Sequence, residues 1–136
     1  MATILTAAEV EKAIRALIAA EKTNLGIEVT LPVAYGGGEL VSVVVEQKAD
    51  SLIVHDAGSS AMRLSGAGVS LSRNVVQRLN ELSQRYRCTF AEGRVSAPAT
   101  LDDLPQVACL VANASRSVAD YVYELRQQTE TSWIDI

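Results

Sequence analysis

Histidine, phenylalanine and tryptophan occur once each in this chain, and cysteine and methionine twice each. Cys88 and Cys109 lie far apart, and a single histidine cannot complete a ligand set with them, so neither a zinc site nor any other metal or cofactor is expected. Both cysteines are read as reduced and buried. Aromatic residues make up 4% of the chain, which leaves little to stack unpaired bases on. No apolar run approaches the ~18 residues of a membrane span, and Met1 to Thr6 has no basic start, so the expectation is a cytoplasmic protein without a membrane segment. Twelve Lys and Arg against sixteen Asp and Glu give a net charge of -4, which excludes a chain devoted wholly to coating DNA or anionic lipid.

The 136 residues are the size of one domain, residues 1–136, and 49% of them are hydrophobic, enough for a single core. The stretch that organises the chain runs from Leu40 to Gly68. Two runs rich in β-branched residues flank Lys48-Ala49-Asp50 and predict an antiparallel pair. The second run stops at His55-Asp56-Ala57-Gly58, and Ser59 to Leu64 can start a helix with Asp56 or Ser59 as its cap. Gly58 and Asp56 are accordingly turn and cap residues, and loss of the Asp56 side chain should cost the ~1 kcal/mol of a cap.

Upstream, Thr6-Ala-Ala-Glu9 is a capping box, and Val10, Ile14, Leu17 and Ile18 recur at helical spacing, predicting a helix to about Lys22 that Gly26 stops. Ile27, Val29, Leu31 and Val33 alternate with polar residues as a strand does, and Gly36-Gly37-Gly38 makes a loop without the offsets of a phosphate-binding motif. Downstream, Ser70 or Ser72 caps a helix with the stripe Val75, Val76, Leu79, Leu82 and Tyr86. A hairpin follows around Glu92-Gly93 and ends at Pro98. A long helix from the Thr100–Pro105 start then continues to about Gln128, nearly 40 Å at ~1.5 Å per residue. Residues 129–136 form a tail without periodicity. The order α-β-β-β-α-α-β-β-α predicts an α+β fold, an antiparallel sheet (three-strand meander plus hairpin) packed with about three helices.

From Ile53 to Leu71 the residues Ile53-Val54, Asp56, Gly58, Ser60, Leu64 and Gly68, with Arg73 beyond, form a pattern that resembles the bacterial and phage domain of unknown function numbered eighteen twenty-eight. The likeness continues through Tyr86, Phe90, Glu92-Gly93 and Val95 to Asp102-Asp103-Leu104-Pro105, and covers about Ile27 to Tyr123. The family pattern has two adjacent acids before the glycine. Asp56-Ala57-Gly58 departs from it, which speaks against a carboxylate pair holding a metal. The resemblance implies a prokaryotic, phage or mobile-element domain, and supplies no reaction.

His55-Asp56 suggests a general-base pair, but neighbours in a strand point to opposite faces and cannot readily bond each other. Neither cysteine nor Ser59-Ser60 lies in a nucleophile motif. Between Ala57 and Leu101 six arginines stand against two glutamates, leaving +4 there and -8 on the rest. The expected function is therefore a non-enzymatic interaction protein, an accessory or anti-defence factor docking on a larger protein partner. The alternative is a nucleic-acid-binding module using Arg73, Arg78 and Arg85 on the helix around residues 72–87. A homodimer through the tail, which carries Trp133 and Ile134, or through the sheet face of Val44 and Ile53 is also expected.

Overall fold

A computed structural model describes the backbone of residues 4–134 and the side chains as far as residue 128. The chain runs α1 (Ala7–Arg15), β1 (Ala19–Thr23), β2 (Gly26–Ala34), β3 (Leu40–Lys48), β4 (Ser51–His55), α2 (Ser59–Gly66), α3 (Arg73–Gln84), β5 (Thr89–Ala91), β6 (Arg94–Ala99), α4 (Leu104–Ala119) and α5 (Tyr121–Ile134). The fold is α+β, with one six-stranded antiparallel sheet in the order β1-β2-β3-β4-β6-β5.

The sheet alternation sorts side chains by face. Val29 pairs with Val43, Val45 with Val54, and Val54 with Ala97, and cross-strand partners share a face. That face joins Leu64 of α2, Leu79 and Leu82 of α3, and Val111 and Val118 of α4 in one core. Serine caps α3 as expected: Ser72 Oγ accepts from the Val75 amide at 3.3 Å. The Glu92-Gly93 turn has both residues left-handed, at φ 55 and 76. Two residues of that kind are what a two-residue hairpin turn matching the sheet twist requires.

The structure corrects the sequence reading at several points. The first helix ends at Arg15, and Ala19–Thr23, in place of its last turns, forms a sixth strand paired with β2. Its residues favour helix, but the Asn24-Leu25 turn folds it against β2, and Thr23 Oγ1 both accepts from the Leu25 amide and donates to the Gly26 carbonyl. Gly26 therefore opens a strand, at φ 143, and does not stop a helix. Strand β6 continues through Pro98 to Ala99. Pro98 is tolerated because β5 pairs with β6 only as far as Ser96, so the imide faces an open edge. The long helix is two helices, divided at Asp120, which follows α4 as its cap. Val44, expected on an open face, is only 3% exposed, and Ile53 is half-buried. Cys109, expected buried, is exposed, while Cys88 is buried; both thiols are free. The proposed tail is helical as far as Ile134, and the side chains of Trp133 and Ile134, with residues 135–136, lie outside the described residues. Among the described residues no helix is long and apolar enough to cross a membrane.

Candidate functional site

Strand β4 delivers His55 and Asp56 side by side, and alternation sends them to opposite faces. Both are fully buried. Ala57 at φ 55 and Gly58 at φ 80 then turn the chain sharply into α2. Gly58 occupies the capping position and has no side chain to offer, so Asp56 reaches forward instead. Its Oδ1 accepts from the Gly58 amide at 3.0 Å and from the Val95 amide of β6 at 3.0 Å. Its Oδ2 accepts from the Ser60 amide at 3.3 Å, from Ser60 Oγ at 2.6 Å and from Ser115 Oγ of α4 at 2.8 Å.

Five donors converge on one carboxyl group, and the chain of bonds runs further. Tyr35 Oη lies 2.8 Å from Ser115 Oγ. Because the Ser115 hydrogen goes to Asp56, the Tyr35 hydroxyl must donate to Ser115. Burial raises the Tyr35 phenol above its ordinary pKa, offset in part by the Ser115 bond, so it stays protonated. Asp56 thus caps α2 and ties it to β6, to α4 and, through Ser115, to the end of β2.

His55 lies on the other face. Its Nδ1 accepts from the Ala57 amide at 3.0 Å, which places the ring hydrogen on Nε2. Nε2 is 3.1 Å from Glu46 Oε2, near enough for an ion pair. The contact falls short of a well-formed hydrogen bond, and the buried nitrogen has no other partner. Burial first, then the nearby Arg94, lowers the His55 pKa against the opposing pull of Glu46 and Asp56. Folding therefore favours the neutral ring. The stability it contributes is whole above the unfolded value of ~6.5 and declines as pH falls below it, by at most ~1.4 kcal/mol per pH unit. Denaturant unfolding at a series of pH values should show this loss in the wild type. In His55→Gln that component is absent, and an unchanged acid profile in the variant would exclude His55 as its source.

Above the Asp56 network lies an open cleft of about 460 Å³ lined by Glu28, Tyr35, Glu39, Leu40, Ser42, Ser59, Met62 and Arg63. The Arg63 guanidinium stacks over the Tyr35 ring at 3.8 Å from its centroid and pairs with Glu39. A smaller hollow of about 190 Å³ opens on the far side of this stack, between Gly36, Gly37, Asp120, Tyr123 and Arg126. Met62 is 73% exposed at the rim. Burial pushes the Cys88 thiol up to about 11, far from an activated nucleophile. Among the described residues no group of three or more His, Cys, Asp and Glu could hold a metal ion.

No family model, curated protein or solved structure matches the chain.

The three arginines singled out in the sequence are not gathered into one site. Arg78 spends its guanidinium on Glu124 of α5 at 3.0 Å and on Glu81 at 3.2 Å. Arg73 and Arg85 are exposed at the two ends of α3, and among the described residues neither has an ion-pair partner. Sequence reasoning missed Tyr35, Ser60, Arg63 and Ser115. Ser115 had a usable signal: it lies four residues after Val111 and three before Val118, a hydroxyl on an otherwise apolar helical stripe that needs a buried acceptor.

Proposed function

We propose that this chain is a non-enzymatic interaction protein that docks on a larger protein partner through the rim of the Tyr35–Arg63 cleft. The observation that supports this reading most is the closure of the polar network beneath the cleft. Each hydroxyl and the carboxylate in it bonds to another part of the chain, from Tyr35 through Ser115 to Asp56 and Ser60. That leaves a rigid floor without an activated base or nucleophile. The rim adds what a docking surface uses: an exposed, adaptable methionine, an aromatic ring and a charged pair, Arg63–Glu39. An accessory or anti-defence factor would work in this way, and the family resemblance implies a bacterial, phage or mobile-element origin for it. The nucleic-acid reading loses its central residue, because Arg78 is already held by two carboxylates.

Tagged wild-type protein and the variants Met62→Asp and Arg63→Glu test the proposal by capture from source cells and mass spectrometry. A protein retained by wild type and lost by both variants, at unchanged thermal stability, is the expected result. Equal capture by all three would overturn the cleft as the docking site. Turnover on a substrate panel, or binding to nucleic acid that falls steeply with salt, would overturn the class.

A further inference from the structure

The first turn-and-helix of this chain has no place of its own to pack. Val10, Ile14, Leu17 and Ile18 form the apolar stripe that the sequence implies, yet each is between 42% and 47% exposed, and no residue of α1 is buried. Ile4 and Leu5, just before the helix, are exposed as well. In this structure the helix does not turn back over its own sheet. Helical-turn bonds continue from the Leu17 amide to the Ile14 carbonyl at 3.0 Å and from the Ile18 amide to the Arg15 carbonyl at 3.1 Å. Strand β1 starts at the next residue.

The same chain carries a second unfilled surface. Ile27 pairs with Val45 and Val29 with Val43, so both lie on the core face of the sheet. Val43 is fully buried there, but Ile27 is 50% exposed and Val29 only half-buried. Ala20 and Lys22 of β1, which pair with Val29 and Ile27 on that face, are exposed too. The covering helices reach β2 at Leu31 and touch Val29, but they stop short of β1 and leave a bare strip formed by β1 together with the Ile27 end of β2. Two strands at ~4.8 Å spacing match the ~10 Å diameter of one helix.

We infer that a second copy of this chain fills the strip: two protomers exchange their N-terminal arms, each laying α1 on the bare β1–β2 face of the other. A surface and its complement on one chain are the requirement for a closed, two-fold interface. A short connection between an unpacked helix and its sheet is a setting that invites exchange of the element between protomers. Ile4, Leu5, Val10, Ile14, Leu17, Ile18 and Ile27, each at least 42% exposed, together supply the apolar surface that such an interface would cover. The interface lies on the face of β2 opposite Glu28, so it leaves the Tyr35–Arg63 cleft open.

Light scattering on the full chain, combined with two variants, tests this. Wild type is expected at the mass of two chains, and Ile14→Asp and Ile27→Asp each at the mass of one, with unchanged circular dichroism because neither position is buried. Mixing the two variants should restore a dimer. One chain then brings an intact arm and the other an intact strip, so one of the two contacts can re-form. A monomeric wild type, a dimer that survives either substitution, or a mixture that stays monomeric would each overturn the exchange.

Discussion

Asp56→Ala should lose about 4 kcal/mol of folding stability, a large share of the ~5–15 kcal/mol that holds a domain of this size together. The substitution strands the amide of Val95 and the hydroxyls of Ser60 and Ser115, all in the buried interior, along with the capping amides of Gly58 and Ser60. A buried donor left without its acceptor costs ~1–3 kcal/mol, and such costs within one network do not simply add. Asp56→Asn should be nearly as damaging despite its matching shape, since its amide group presents hydrogens where donors already point. Ser115→Ala keeps the experiment informative if neither variant folds. It removes one donor to Asp56 and the Ser115 acceptor of the Tyr35 hydroxyl, with an expected loss of about 2 kcal/mol. Chemical denaturation measures all three. A loss near 1 kcal/mol for Asp56→Ala, the cost of an ordinary cap, would return the residue to the lesser role its sequence position suggests.

The second large effect is expected at Gly26. A Cβ there would lie 2.5 Å from the Val45 backbone oxygen and 3.1 Å from side-chain atoms of Val44 and Glu46, on a backbone at φ 143. The close neighbour is a backbone atom of an interior strand, so relief requires β2 to move away from β3. Gly26→Ala should cost about 3 kcal/mol through clash and backbone strain together. Gly37→Ala is the control: it has nothing within 4 Å and an ordinary φ. Fewer unfolded conformations should leave that variant unchanged or slightly more stable, by up to ~1 kcal/mol. Equal effects at the two positions, measured by denaturant unfolding, would refute the packing argument.

The comparison of sequence with structure divides by the range over which each signal acts. Period-two alternation in 27–33 and 41–54 and the helical stripe in 75–82 are local patterns enforced by one buried face, and each appears as an element. Ala19–Thr23 has no such pattern. Its strand exists because the Asn24-Leu25 turn brings it alongside β2, and pairing overrides the helix preference of alanine, glutamate and lysine. The break at Asp120 was hidden for the opposite reason, since Val118, Val122 and Leu125 keep a helical spacing across it. Asp56 was legible as a turn-and-cap residue from the following glycine and serines. Its bonds to Val95 and Ser115 join segments 39 and 59 residues away, and no local spacing announces them. The arginine row was legible as charge, but the pairing of Arg78 with Glu124 from another helix was not.

The Asp56 network also constrains the order in which the chain can assemble. The Asp56–Val95 and Asp56–Ser115 bonds close loops of 39 and 59 residues, and the Tyr35–Ser115 bond one of 80. Hairpins β1–β2 and β3–β4 can form within their own segments, but neither can satisfy a carboxyl group whose donors arrive from β6 and α4. The entropic cost of closing long loops falls before the network returns anything, so folding of this domain is slow to commit and cooperative once committed. The Val95 amide is then expected to exchange its hydrogen only on unfolding of the whole domain.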